Sequence, residues 1–396
     1  MTTAKPLRVG MVGYAFMGAA HSHAWRTAPR FFDLPLQPQL TAVAGRNADG
    51  VRAAADKLGW DSVETDWRRL IERDDIDLID ICTPGNTHGE IAIAALEAGK
   101  HVLCEKPLAN SVEEAERMTL AAETAAKHGV FSMCGFSYRR TPALALAKRF
   151  VEQGRLGEIR HVRAQYLQDW LSDATAPMTW RLDKSKSGSG SLGDIGAHSI
   201  DAAQWVTGQN ISGVSAMLET FVRERPLAGD LVGLGGHGDL SSDAPRGTVT
   251  VDDAAIFSAK FDGGASAGAI GVFEATRYAL GRKNAMRLEV NGTKGSLAFD
   301  FEEMNVLSFY DAAESPDAGF RRIFVTEPEH PYVGNWWPTG HGLGYEHGFT
   351  HQVVDLVTAI GEGRQPEPSF ADALQVQRVL AAVESSAGNS SQWQKV

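Results

Sequence analysis

Two hydrophobic rhythms divide the chain. Up to about residue 135, short apolar runs alternate with stretches whose apolar positions recur every three or four residues. The runs are Leu7–Val12, Thr41–Ala44, Ile76–Ile81, His101–Cys104 and Val130–Cys134, and they read as buried strands. Helical patterns begin at Ala19 and cover Val51–Leu58, Trp67–Glu72, Ile91–Ala98 and Val112–His128, with Gly99 placed to stop the fourth. Residues 31–40, with Pro35 and Pro38, read as an inserted loop before the second strand. Strand–helix alternation of this kind predicts a doubly wound parallel α/β sheet.

From Gly157 the segments lengthen. Strands are expected at Ile159–Tyr166, Val214–Val222, Ala254–Phe261, Ala265–Glu274, Met286–Asn291 and Ser296–Asp300. Asp262-Gly263-Gly264 and Asn291–Gly295 supply hairpin turns. This half predicts an α+β domain with a large, mostly antiparallel sheet and helices on one face. Two late helices are expected, 344–360 ended by Gly361 and 370–385 capped by Ser369. The division is then a dinucleotide-binding domain over 1–135 and a substrate-binding and oligomerisation domain over 136–396, its two last helices placed to return towards the first. Residues 225–246 show no period and are expected to form a loop near substrate or an oligomer contact.

Composition narrows the partners. A length of 396 residues suits two domains, and a net charge of −11 argues against nucleic acid or an anionic membrane surface. No apolar run approaches the roughly 18 residues that a membrane helix needs. The start lacks the apolar core of a signal peptide. Cys82, Cys104 and Cys134 lie in or at the ends of apolar runs, without a second Cys or His at zinc spacing. They read as buried, reduced thiols of a cytoplasmic protein, with no metal site.

Candidate chemistry starts at Gly13-Tyr14-Ala15-Phe16-Met17-Gly18, a strand–turn–helix junction of the kind that seats a pyrophosphate on helix N–H groups. Its middle glycine is replaced by Ala15, which weakens the fingerprint. The second strand ends in Gly45-Arg46-Asn47 where an acidic residue would meet a ribose 2′-hydroxyl. Arg46 suits a 2′-phosphate or a stack on adenine, so NAD(H) and NADP(H) both stay open. Thr83, Pro84, Asn86 and His88 follow a strand end, where ligands bind in open α/β sheets. Lys106, between a strand end and Pro107, is a solvated surface charge or a placed ammonium that stabilises an alkoxide. Asp194 and His198, four apart where a helix begins after a flexible run at 185–190, form a helix cap with a structural histidine or a carboxylate–imidazole pair.

Taken together, Gly13-x-Ala15-Phe16-Met17-Gly18-Ala19-Ala20-His21, Thr83-Pro84-x-x-x-His88, Glu105-Lys106-Pro107 and Gly193–His198 resemble the glucose–fructose oxidoreductase, inositol dehydrogenase and rhizopine-catabolism (Gfo/Idh/MocA) family over nearly the whole chain. Phe136–Pro142 and Tyr166–Trp170 are most similar to its sugar-oxidising branch. The resemblance implies a catalytic trio of Lys106, Asp194 and His198, with His198 the proton acceptor as hydride passes to the nicotinamide. It implies cofactor contacts from Gly13, Tyr14, Ala15, Phe16, Met17, Arg46, Thr83, Pro84, Asn86, His88, Glu105, Lys106 and Arg181. Substrate contacts are expected from Tyr138, Arg139, Asp169, Trp170, Trp180 and His198, with Trp336, Trp337, His341 and Tyr345 adding aromatic surface, although any single Trp is as well read as packing.

The expected activity is NAD(P)-dependent oxidation of a secondary alcohol on a sugar, anhydrosugar or cyclic polyol by a homodimer or homotetramer. Alternatives are an NAD-retaining glycosidase and a non-catalytic dinucleotide sensor. A zinc site at His21-x-His23 is disfavoured, because residues two apart on a helix diverge by about 200°.

Overall fold

The computed structural model describes residues 5–227, 245–263, 268–313 and 317–396. It contains two compact units, one taking the chain to Ser137 and again Gly344–Leu374, the other Tyr138–Leu343 and Gln375–Val396.

The first unit follows the strand–helix alternation: β1 (Lys5–Val12), α1 (Phe16–Phe31), β2 (Leu36–Ala44), α2 (Ala48–Leu58), β3 (Ser62–Glu64), α3 (Trp67–Glu72), β4 (Leu78–Ile81), α4 (His88–Glu97), β5 (His101–Cys104), α5 (Val112–Ala126) and β6 (Ser132–Cys134). Six strands pair in parallel in the order β3-β2-β1-β4-β5-β6. Val9, Met11, Val43, Leu78, Leu103 and Met133 bury one face of that sheet against Trp25 and Ala28 of α1. Phe349, Val353, Leu356 and Val357, from the late helix Tyr345–Gly361, join the same cluster. Each such side chain contributes about 1.5–3 kcal/mol on burial.

Two expectations change here. The inserted loop is partly strand, since β2 begins at Leu36 and Pro38 pairs with Leu7. Pro38 is tolerated because β3 reaches only Ala42–Ala44, so its missing N–H falls on an open edge. The first helix begins at Phe16 rather than Ala19, directly from the glycine turn.

The second unit holds α6 (Pro142–Glu152), β7 (Ile159–Leu167), α7 (Lys184–Ser187), α8 (Ala197–Thr207), β8 (Ile211–Glu219), β9 (Glu224–Pro226), β10 (Arg246–Thr248), β11 (Ala254–Phe261), β12 (Ile270–Thr276), β13 (Ala285–Gly292), β14 (Gly295–Asp300), β15 (Val306–Asp311) and β16 (Arg321–Phe324). After α9 (Tyr345–Gly361) come α10 (Phe370–Gly388), which starts in the first unit and ends in this one, and β17 (Gln394–Lys395). Among the described residues nine strands form one sheet, β16-β15-β14-β13-β7-β12-β11-β8-β17, in which only β7 and β12 pair in parallel. Helices α6 and α8 pack on one face. Ser369 does cap α10, its Oγ accepting the Asp372 N–H at 3.1 Å while the Asp372 carboxylate accepts the Ser369 N–H at 2.7 Å.

The strand expected at Ala265–Glu274 is Ile270–Thr276, and 264–267 lie outside the described residues. The strand expected at Val214–Val222 starts earlier and ends at Glu219. The loop reading of 225–246 holds neither end, because β9 and β10 pair there; 228–244 lie outside the described residues. The first half of the flexible run at 185–190 belongs to α7, which Asp183 caps.

Candidate functional site

In the first unit the glycine turn has the geometry that an anion seat requires. Gly13 has φ +97°, and a Cβ on Gly18 would stand 2.3 Å from the Gly13 carbonyl oxygen. Both positions therefore need glycine, one for its backbone and one for close approach. Ala15 is the N-cap of α1, with no side chain capping the helix and no acidic residue in its first turn. The positive end of a 16-residue helix is thus left for a phosphate. Phe16 is exposed and stacks 6.3 Å from Tyr345, which places that late aromatic in the first unit. Tyr14 packs over Gly45, where a Cβ would come 2.1 Å from its ring. Arg46 is exposed just past β2, and Asn47 is engaged in capping α2. These residues fit a dinucleotide.

The strand ends add two ties. Thr83 and Thr87 share a hydroxyl hydrogen bond of 2.7 Å, with Asn86 exposed beside them. The His88 ring is 1% exposed, with Nδ1 2.9 Å from the Pro107 carbonyl and Nε2 2.8 Å from that of Thr83. Burial pushes its pKa down. His88 therefore points inward between the two loops, and as a neutral ring it donates to one of these two carbonyls. Glu105 is likewise buried, Oε1 lying 3.1 Å from Nε2 of His21 and Oε2 accepting the Lys106 backbone N–H at 3.3 Å. It too belongs to the support of the loop. Lys106 is half-buried at the start of that loop.

In the second unit His198 lies on α8, 9% exposed, its ring stacked on Tyr138 at 4.5 Å and 26°. Tyr166, from β7, lies 5.9 Å from the same imidazole. A directed chain of hydrogen bonds follows. Tyr166 donates to Oδ1 of Asn284 at 2.7 Å, so in the 2.5 Å contact between the two phenols Tyr138 is the donor. Gln168 also donates to Asn284, and Trp170 donates to Gln168, both at 2.9 Å.

Asp194 does not cap a helix. It lies in a π-helical turn, Leu192–Gly196, that runs straight into α8. Such turns are rare and recur at functional sites. Asp252 does the capping instead, accepting the Gly190 N–H, the Ser191 hydroxyl and the Leu192 N–H at 2.7, 2.7 and 2.8 Å. The Asp194 carboxylate is thereby left for Arg277, whose Nη1 lies 3.2 Å from Oδ2 and whose side chain is wholly buried. Arg181 lies over the Trp180 ring at 4.5 Å. Its pKa is lowered by burial, which the Asp194 charge opposes and the Arg277 charge reinforces.

Two residues expected to contact substrate have partners within the protein. Arg139 forms a buried ion pair with Asp201 of α8, at 2.6 Å. Asp169 accepts Lys283 Nζ at 2.6 Å and the Gly281 N–H at 3.2 Å. Sequence reasoning gave no role to Tyr166, Gln168, Arg277 and Asn284. For Tyr166 a signal existed, since it shares the strand face of buried Val162 and Ala164, and Gln168 continues that alternation one residue past β7. Arg277 and Asn284 follow β12 and precede β13, where no local pattern marks them.

A family model described as the oxidoreductase family, NAD-binding Rossmann fold, matches residues 7–136, and one for the GFO/IDH/MocA C-terminal domain matches 144–298. Levoglucosan dehydrogenase of Pseudarthrobacter phenanthrenivorans is 42% identical over 393 residues, 97% of each chain. The chain belongs to the Gfo/Idh/MocA family. Among solved structures, an oxidoreductase domain protein from Kribbella flavida is 65% identical with a TM-score of 0.93, over 99% of each chain. Levoglucosan dehydrogenase in complex with NADH and levoglucosan is 40% identical with a TM-score of 0.90, over 99% of this chain and 100% of that one. A parallel sheet carrying a glycine turn, and a mostly antiparallel sheet packed by the helix that carries His198, thus belong to an NAD-binding sugar and polyol oxidoreductase family. Among the described residues no helix is long and apolar enough to cross a membrane.

Proposed function

We propose that this protein is an NAD(H)-dependent dehydrogenase that oxidises a secondary alcohol of a sugar, anhydrosugar or cyclic polyol, with levoglucosan the first substrate to test. The supporting observation is His198: an imidazole held by ring stacking on Tyr138, four positions along the chain from Asp194, whose carboxylate Arg277 meets at 3.2 Å. His198 accepts the hydroxyl proton. Lys106 donates a hydrogen bond to the same oxygen as negative charge grows there. Asp194, steadied by Arg277, orients the imidazole or a neighbouring hydroxyl. When bound, the dinucleotide supplies the hydride acceptor at C4 of its nicotinamide. Gly13, Ala15, Phe16 and Met17 hold its pyrophosphate at the start of α1, and Thr83, Pro84 and Asn86 line the adjoining strand end.

The test is reduction of NAD and of NADP across levoglucosan, aldoses and inositols, followed by His198→Ala and Lys106→Ala. Each substitution is expected to lower kcat by about 10²–10⁴. Wild-type turnover in His198→Ala sinks the assignment. Release of aryl alcohol from aryl glycosides would favour the glycosidase, and dinucleotide binding without turnover the sensor. Arg46 supports NADP(H) as a second reading of the cofactor, because it is exposed and no acidic residue stands beside it. A kcat/KM for NADP above that for NAD, reversed by Arg46→Asp, is the expected mark of that reading.

The chain is also proposed to self-associate as a dimer or tetramer. The sheet face away from α8 exposes Met217, Ile256, Ile270 and Val272 on three adjacent strands. A monomer by light scattering at micromolar concentration disposes of this.

A further inference from the structure

Below the loop that carries Lys106 lies a set of buried charges to which the reading above assigns no chemistry. His21 of α1 is 1% exposed, Asp80 of β4 0% and Glu105 4%. Nδ1 of His21 lies 2.9 and 3.0 Å from the two Asp80 oxygens, and Nε2 lies 3.1 Å from Oε1 of Glu105. Ionised carboxylates only accept, so the ring satisfies both neighbours only by donating from both nitrogens, as an imidazolium. Burial is the largest influence and opposes that charge. The charge of Asp80 and its hydrogen bond act the other way, and the balance raises the His21 pKa well above its ordinary value.

The surroundings complete the network. Asp80 also accepts Trp25 Nε1–H at 2.7 Å and the Cys82 thiol at 3.6 Å. A Cβ at position 135 would come 2.4 Å from Oε1 of Glu105, and the chain has glycine there. Ligand atoms of His21, Asp80 and Cys82 lie within 4.8 Å of one another, the spread of a metal site. Burial and the Asp80 charge push the Cys82 thiol far up, however, so it stays protonated, and Nδ1 is already engaged. The group is a hydrogen-bonded relay of charge rather than a thiolate centre.

We propose that His21 is a positioning residue for Lys106. It bridges Asp80 and Glu105, and so fixes the main chain from which the Lys106 side chain departs. Glu105 is the connecting link, since one of its oxygens meets His21 and the other meets the Lys106 N–H. The proposal rests on the reading of Lys106 as the donor to the substrate oxygen.

The test uses the full chain, with the sugar that the wild type oxidises fastest. His21→Gln and Glu105→Gln are each expected to lower kcat about tenfold, with the NADH dissociation constant, read by fluorescence, changing less than about threefold. The double variant keeps the wild-type net charge of the cluster. It is expected to recover melting temperature relative to His21→Gln, with no recovery of kcat. Added to Lys106→Ala, His21→Gln is expected to cost nothing further. Nitrogen NMR of the ring should show both nitrogens protonated at pH 7.

A ring that is neutral at pH 7 overturns the bridge. So does turnover within about twofold of wild type in both single variants, or a kcat that recovers with melting temperature in the double variant. If His21→Gln does not fold, Glu105→Gln decides by the same measures. Wild-type kcat in Lys106→Ala is a different failure, that of the Lys106 reading itself.

Discussion

The two units build their candidate chemistry from different materials. In the first, the anion seat is main chain: the turn at Gly13, the bare start of α1 and the strand ends at Thr83 and Lys106. The side chains that matter there, His21, His88 and Glu105, are turned inward and brace loops. In the second, the site is made of side chains drawn together from afar: His198 and Asp194 from a π turn and its helix, Tyr138 from before α6, Tyr166 from β7, and Arg277 and Asn284 from the ends of β12 and β13. A dinucleotide presents the same phosphates in every enzyme that uses it, and backbone amides suffice to hold them. A sugar is recognised by hydroxyl positions, which only side chains can single out.

That contrast can be broken by substitution. The largest effect is expected from Arg277→Met, which leaves the Asp194 carboxylate without its buried partner. About 10²-fold should be lost from kcat/KM for the sugar, while NADH affinity stays near wild type. An equal loss in NADH binding would mean that the two kinds of construction are not separate. A smaller effect, about ten- to a hundredfold on NADH affinity, is expected from Gly18→Ala, because the added methyl meets a carbonyl oxygen at 2.3 Å. Phe16→Ala in the same turn should change that affinity by less than about threefold, since its side chain is exposed and the seat is backbone.

The smallest effect sharpens the comparison within the first unit. Burial lowers the pKa of both His21 and His88, yet the net shifts are opposite, because the Asp80 charge and hydrogen bond outweigh burial at His21 while the carbonyl hydrogen bonds at His88 do not. The raised His21 value gives stability that is full below about pH 6.5 and is lost as pH rises through its folded pKa. The lowered His88 value gives stability present above about pH 6.5 and lost as pH falls through its folded pKa. Each slope is at most about 1.4 kcal/mol per pH unit. Urea titrations from pH 5 to 9 should show His21→Gln flattening the alkaline limb and His88→Gln the acid limb. Both variants flattening the same limb would contradict the assignment of partners.

The legible parts of the molecule were those whose cause is local. Parallel strands buried on both faces read as apolar runs, and Gly13, Gly99 and Ser369 sit where backbone geometry or a cap requires them. Short motifs singled out Lys106, Asp194 and His198, whose roles are those proposed above. The environments of these residues were not visible. Asp194 looked like a helix cap because the true cap, Asp252, arrives from 58 positions further along the chain. Arg139 and Asp169 were expected to meet sugar, and their ion-pair partners, Asp201 and Lys283, are too remote in sequence to have been foreseen. The start of β2 was hidden because Pro38 argues against a strand unless its open edge is known.

The return of α9 to the first sheet has a consequence for engineering. Phe349, Val353, Leu356 and Val357 cover Trp25, Ala24 and Ala28, so the nucleotide-binding module is not a contiguous piece of chain. A fragment cut at Ser137 would bare an oily stripe along α1. A portable version would have to splice the segment from Gly344 onward directly behind that cut. Grafting schemes that exchange substrate halves among relatives would need two junctions at least, and a single crossover near residue 137 would leave α9 from one parent lying on the α1 of another.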